Sequence, residues 1–354
     1  MLEFLDTVTN YISGLYTLPW ILIGFILTIF FTSLFGEEVI NKAMKRNALI
    51  LLYVFVPLLL FRILLNVDFG KDEIIFTIAC FVILTLMYIL AYFFAKYKVK
   101  KIGLTAEEKN HFIKTVLTNQ GRSSAFVGGT MLAISEWQVQ ALIYMIIGAI
   151  FLFAIIPAIL SILHKKEIKK SDTTANISAL PWYLKIFPVY LLAFAFIAVV
   201  LHGITGITVK DPTGFNRLFV FITQCTIPAA LYYVGSGIHP RDLKIDELKK
   251  LFGLKISKKI KDHWAWVRAI FLLTVVITPI LTLAVTLPIY LVGLIPSAWF
   301  AVIVINSILP ITSTNMFLVP YGIDKRSTAH VVTWTTLICV PIVVALITLF
   351  EIYL

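Results

Sequence analysis

Asn119-Gln120-Gly121-Arg122-Ser123-Ser124 and Asn306-Ser307-Ile308-Leu309-Pro310-Ile311-Thr312-Ser313-Thr314-Asn315 are two polar, helix-breaking stretches inside otherwise apolar runs. Those runs are about 20 residues long or longer, the length a helix needs to cross a bilayer. Irregular polar backbone at that depth is tolerated only where it is buried in protein or lines a cavity. Two such breaks, at corresponding places in the two halves of the chain, predict a polar site between two interrupted helices. The fold class that follows is an all-α polytopic membrane protein.

Composition leads to the same class. Of the 354 residues 60% are apolar and 14% charged, with a mean hydropathy of +0.94, whereas a soluble domain carries about a quarter charged residues. The apolar runs recur down the whole length and are too long for the ~10-residue alternating strands of an outer-membrane barrel. Ten candidate spans result, at about 18–35, 47–66, 74–95, 108–133, 138–163, 181–202, 214–237, 266–290, 296–320 and 327–352. Segment 1–17 has acids, no basic region and no small-residue cleavage site, so the first span is expected to remain as an anchor. Cys80, Cys225 and Cys339 each sit inside an apolar run without paired spacing and read as packing residues, so no metal and no cofactor is expected.

With ten spans the connecting loops alternate sides, and 25 of the 30 lysines and arginines fall on one of them. That side is assigned to the cytoplasm, which puts the chain in the cell membrane with both termini outside. The net charge of +11 is therefore a topology signal, and no nucleic-acid partner is needed to explain it. Residues 1–170 hold spans 1–5 and residues 171–354 hold spans 6–10. An odd number of spans per half inverts the second half relative to the first, which gives two inverted repeats. Internal landmarks fit this arrangement, with Pro57-Leu58-Leu59-Leu60 in span 2 answered by Pro228-Ala229-Ala230-Leu231 in span 7. The basic loop from Arg241 to His263 carries Leu243, Ile245, Leu248, Phe252, Ile256 and Ile260 at near-helical spacing. It is expected to lie amphipathically at the inner membrane surface or to form a solvated connector.

In span 4, Gly121 weakens the helix, and Gly128-Gly129 loosens it again two turns later. A second half-helix starting near Ser123 would aim its free amides and positive dipole end at the gap, a ready anion site. Arg122 sits in that gap, where an unpaired charge costs ~2.5–3.5 kcal/mol on insertion scales. No aspartate or glutamate lies in the middle of any span. Arg122 therefore either receives an anionic group of a substrate or hydrogen-bonds to carbonyls freed at the neighbouring break. In span 9, Pro310 removes an amide and frees the carbonyl of Asn306. Thr312, Ser313, Thr314 and Asn315 follow at once with hydroxyl and amide groups. The candidate substrate-binding set is Asn119, Gln120, Gly121, Arg122, Ser123, Ser124, Asn306, Pro310, Thr312, Ser313, Thr314 and Asn315. Pro57 and Pro228 free the carbonyls of Tyr53 and Gln224 and read as kinks in scaffold helices. His202, His330 and Glu351 fall at span ends, where interfacial solvation accounts for them, and Trp20, Trp182 and Trp299 read as aromatic belt.

Several of these residues together resemble the auxin efflux carrier family: Asn47 and Pro57 of span 2, Asn119-x-Gly121 of span 4, and Pro228-x-x-Leu231-x-x-Val234-Gly235 of span 7. Leu309-Pro310, Tyr321-Gly322-x-Asp324 and Thr335-Thr336 complete the resemblance, which covers essentially the whole chain. It implies ten helices in two inverted five-helix repeats, a fold shared in outline with bile acid/sodium symporters, with spans 4 and 9 broken and crossing at the substrate site. It also implies a mobile core of spans 3–5 and 8–10 sliding against a scaffold of spans 1, 2, 6 and 7, commonly as a homodimer. Asn119 and Gly121 then fall at the first crossing and Pro310 at the second. The chain departs from the family pattern in having Arg122 after the Asn-x-Gly and Gly128-Gly129 further on. An arginine there would fill the space and charge that sodium occupies in the symporter relatives.

These readings converge on a secondary transporter that moves a small organic anion by alternating access, driven by the membrane potential or a proton gradient. The alternatives are a sodium-coupled symporter and a non-transporting ligand sensor. An intramembrane enzyme is not expected, because the spans hold no cluster of His, Asp and Glu.

Overall fold

The computed structural model describes residues 17–66, 70–102, 106–123, 136–170, 182–209, 214–226, 244–253, 263–312 and 321–354, with single positions such as Met131, Asn315 and Leu318 between them. Most of these residues are helical, and among them no strand occurs beyond one bridged pair of residues. In chain order the helices are α1 (Thr17–Phe35), α2 (37–65), α3 (Lys71–Ile102), α4 (Ala106–Thr118), α5 (138–170), α6 (Trp182–Thr205), α7 (Gly214–Gln224), α8 (Ile245–Leu251), α9 (263–291), α10 (Ser297–Ile308) and α11 (Lys325–Tyr353). Among the described residues, three stretches are long and apolar enough to cross a membrane: Lys71–Lys101, His263–Leu291 and Lys325–Tyr353. Leu22–Phe35, Tyr53–Leu65, Val139–Ile150, Leu192–Thr205 and Ser297–Ile308 are shorter apolar helices.

Each of α2, α5 and α9 widens into a π turn, at Leu51–Phe55, Phe151–Ile155 and Leu272–Ile277 respectively. A proline stands two residues past each turn, at Pro57, Pro157 and Pro279. The coincidence has a steric cause. A proline ring clashes with the carbonyl four residues back and has no amide to offer it, and an extra residue in the preceding turn moves that carbonyl aside. The amides of Ile156 and Thr278 accordingly reach back five residues, to the carbonyls of Phe151 and Leu273.

The chain turns sharply between α1 and α2 at Gly36, whose φ of +84° an L side chain would strain. This places the start of α2 at Glu37, ten residues before the start read from hydrophobicity. The first turns of α2 are polar (Glu37, Glu38, Asn41, Lys42) and carry no apolar signal, although they are helical.

Buried apolar side chains form two clusters. The larger joins α3, α4, α9, α10 and α11 with part of α5, through residues such as Phe76, Phe112, Ile143, Ile270, Ile303 and Val332. The smaller joins the end of α2 to α5 and α6 through Leu60, Leu64, Met145, Ala149, Leu152 and Ala198. In the smaller one, the Tyr53 carbonyl freed by Pro57 accepts from the Tyr190 hydroxyl at 2.9 Å.

The last helix begins at a defined cap. Asp324 Oδ2 accepts from the amide of Ser327 at 2.7 Å, while the Asp324 amide donates to Thr115 Oγ1 at 2.8 Å and so ties the start of α11 to α4. Replacing Asp324 with Ala is expected to lower stability by ~1 kcal/mol, the usual cost of a lost N-cap, while Asp324→Ser keeps most of it. A detergent unfolding series of the three proteins measures the difference.

Candidate functional site

Helix α4 stops at Thr118, and Asn119 to Ser123 run on as a turn followed by extended chain. Helix α10 stops at Ile308, where Leu309 leaves the helix at φ −50° and ψ 147°. The two unwound segments meet. Arg122 and Ile311 form an antiparallel bridge, in which the Ser123 amide donates to the Pro310 carbonyl at 2.9 Å and the Thr312 amide to the Gly121 carbonyl at 3.3 Å. The Ile311 amide donates to Thr335 Oγ1 on α11 at 3.1 Å. Each broken strand thus satisfies part of the other, as buried backbone must.

Side chains from the first break fasten this crossing to its surroundings. Arg122, 9% exposed, donates from one terminal nitrogen to the Thr274 carbonyl at 2.7 Å and from the other to the Leu309 carbonyl at 3.3 Å. Both acceptors are free for a stated reason. Within the π turn of α9, the Thr278 amide serves Leu273 and residue 279 is proline, so Thr274 has no donor in its own helix. Leu309 lies just past the end of α10, where helix carbonyls lose their partners. Gln120 docks on the same π turn, its amide nitrogen 3.0 Å from Thr278 Oγ1 and 3.4 Å from the Met87 carbonyl. Asn119 donates to Thr328 Oγ1 on α11 at 3.0 Å and to the Thr115 carbonyl at 2.8 Å.

Polar capacity remains at the crossing. Among the described residues, the side-chain oxygens of Thr118, Asn119 and Gln120, both side-chain polar atoms of Asn315, Arg122 Nε and the Tyr144 hydroxyl are buried without a hydrogen-bond partner. Among the described residues, the titratable groups acting on Arg122 are Tyr88, Tyr144 and Cys339, with no carboxylate. Among the described residues the guanidinium has no buried counter-ion, so the described part of the site is net positive. Groups of His, Cys, Asp and Glu able to hold a metal are absent among the described residues, and Cys80, Cys225 and Cys339 are free thiols.

Of the twelve candidates, Asn119, Gln120, Gly121, Arg122, Ser123, Pro310, Thr312 and Asn315 gather at this crossing, all buried. Ser124, Ser313 and Thr314 lie outside the described residues, as do Gly128 and Gly129. Three expectations need correction. The Ser123 amide, expected to be free for an anion, is committed to Pro310 because the extended chain pairs before any helix can begin. Asn306 turns its amide nitrogen back onto the Val302 carbonyl at 2.7 Å, since α10 runs two residues past it and keeps it inside helix. His330 is not solvated at a span end but 7% exposed, with the rings of His263 and Trp264 on α9 covering it at centroid distances of 5.2 and 4.9 Å.

Thr274, Thr278 and Thr328 were not anticipated as partners of the site. Thr274 could have been found from the proline five residues on, whereas nothing local marks Thr328. No protein-family model matches the chain, and no curated protein matches it.

Two substitutions test the geometry. A Cβ at Gly121 would lie 2.7 Å from Leu152 Cδ1 and 3.1 Å from Asn315 Oδ1, so Gly121→Ala is expected to lose ~1–3 kcal/mol by overpacking. Arg122→Ala strands two buried carbonyls and should cost ~2–5 kcal/mol, with Arg122→Lys recovering part of that. Unfolding midpoints measured in one detergent rank the three variants.

Proposed function

We propose that the chain is a secondary carrier that moves a small organic anion across the cytoplasmic membrane by alternating access. The observation that carries the reading is the paired crossing of two unwound segments around a buried guanidinium with, among the described residues, no carboxylate beside it. A charge in that position is stabilised by its two carbonyls and by whatever anion enters. Arg122 then acts chiefly by position: its terminal nitrogens hold the crossing, and its charge, with Nε and the side-chain amide nitrogen of Asn315, favours a carboxylate nearby. Irregular backbone that lines a substrate site at mid-bilayer is the recurring device of secondary transporters.

The finer reading is ten spans in two inverted five-helix repeats, both termini outside, in an auxin efflux carrier-like homodimer working as an elevator. The separate packing of the two apolar clusters supports a core that moves against a scaffold. The bias of basic residues supports the orientation. With no carboxylate at depth for a side-chain proton relay, the membrane potential is the expected driving force.

A second reading, sodium-coupled symport, is favoured by the unpartnered side-chain oxygens of Asn119, Gln120 and Asn315 at the crossing, since hard cations take oxygen ligands. The two readings separate in liposomes. Carboxylate flux that follows an imposed potential and is indifferent to sodium supports the uniporter, and flux that rises with sodium at clamped potential supports the symporter. Asn315→Ala is expected to reduce flux at least tenfold while keeping the unfolding midpoint within a few degrees, because among the described residues neither polar atom of its side chain has a hydrogen-bond partner. If a panel of mono- and dicarboxylates neither shifts the midpoint of the wild-type protein nor crosses the membrane, the carrier reading is lost.

A further inference from the structure

A cavity of about 260 Å³ opens between the end of α3 and the start of α9, lined by Lys98, Lys101, Ala265, Arg268, Ala269 and Leu272. Its chemistry is uneven. Three of the six residues are cationic and none is acidic, so the lining favours an anion. The four residues from α9 follow helical spacing and make one face of that helix. The small Ala265 and Ala269 leave the hollow between Arg268 and the lysines three residues apart on α3.

The position of this cavity selects its ligand. Helix α3 has 32 residues, about 48 Å at the α-helical rise, against ~30 Å of hydrocarbon. Its uncharged run from Ile74 to Ala95 fills the hydrocarbon, so Lys98 and Lys101 emerge at headgroup level. Beside them, Arg268 is held by the Lys250 carbonyl at 2.9 Å. Lys250 belongs to α8, where Leu251 is buried while Ile245 and Phe252 are 70% and 60% exposed. Exposed apolar side chains flanked by Lys249 and Lys250 suit a segment resting on the membrane interface. Leu272, one turn further along α9, is 40% exposed and continues the cavity towards the hydrocarbon. Basic pockets between helices on the cytoplasmic side are where anionic headgroups are held.

We propose that this cavity binds the phosphate group of an anionic phospholipid from the cytoplasmic leaflet, with Lys98, Lys101 and Arg268 as its ligands and Leu272 against the start of an acyl chain. The assignment rests on the membrane orientation proposed above and not on transport. A lipid so placed bridges α3 and α9, with α8 joined to the site through the bond from Arg268 to the Lys250 carbonyl.

Native mass spectrometry and unfolding midpoints of the delipidated full chain in detergent test it, with phosphatidylglycerol, phosphatidylcholine or glycerol 3-phosphate added. Wild type is expected to retain phosphatidylglycerol and to unfold at a higher temperature with it, and to respond little to the other two. Lys98→Gln with Lys101→Gln should weaken that binding about 30-fold, taking ~1 kcal/mol for each cation near a lipid surface, while Lys98→Arg with Lys101→Arg preserves it. Lys96→Gln with Lys100→Gln, at the same membrane level but outside the cavity, should bind as wild type does. Equal retention of phosphatidylglycerol by the Lys98/Lys101 glutamine variant and wild type would overturn the proposal. So would equal stabilisation by phosphatidylcholine, or saturation by glycerol 3-phosphate alone. Absence of carboxylate flux with lipid retention intact would count against the carrier and leave this site standing.

Discussion

Two hydrogen bonds between unwound backbones, Ser123 to Pro310 and Thr312 to Gly121, set the constraint on which the rest depends. An interrupted helix in an apolar environment strands amides and carbonyls that water cannot reach, at several kcal/mol each. The chain meets this need by bringing one interruption against another, so that two unsatisfied segments become a short antiparallel pair. Threonines from α11 serve both sides of it, Thr335 at Ile311 and Thr328 at Asn119. Arg122 binds what is left over. Its long, forked side chain reaches two carbonyls on different helices, a geometry that a lysine could not reproduce.

The prolines extend the same logic away from the crossing. Each π turn prepares the helix for a proline two residues on, and in α2 and α9 the carbonyl released is taken up by a side chain from another part of the chain. Tyr190 collects the carbonyl of Tyr53, and Arg122 collects that of Thr274. Such bonds join helices where apolar packing alone would let them slide. Gly121 is required for closeness, because any side chain there would meet Leu152 and Asn315.

Much of this was legible. Interruption of an apolar run by Asn119-Gln120-Gly121-Arg122 or by Pro310 is a local event, governed by residues whose effect on a helix does not depend on what they touch. The helix ends at Thr118 and Ile308 were accordingly close to where the residues placed them. Polar residues misled in two places. The polar first turns of α2 conceal a helix that hydropathy alone starts ten residues late, and His330, polar and near a span end, is covered by His263 and Trp264.

Partnerships were not legible. That Arg122 needed hydrogen-bond acceptors followed from the cost of a buried charge, but whether it met a ligand or a carbonyl turned on which groups lay within about 3 Å. The same holds for the Ser123 amide, free in an isolated half-helix and occupied once Pro310 is beside it. By itself the sequence determined an apolar all-helical chain with two polar interruptions, one of them charged, because periodicity, propensity and desolvation act along the chain. Only the tertiary structure decided that the interruptions pair, that the π turn of α9 supplies an acceptor for the guanidinium, and which polar atoms are left unoccupied. Those outcomes depend on contacts between residues some 150 to 210 positions apart, and no local rule encodes distances of that kind.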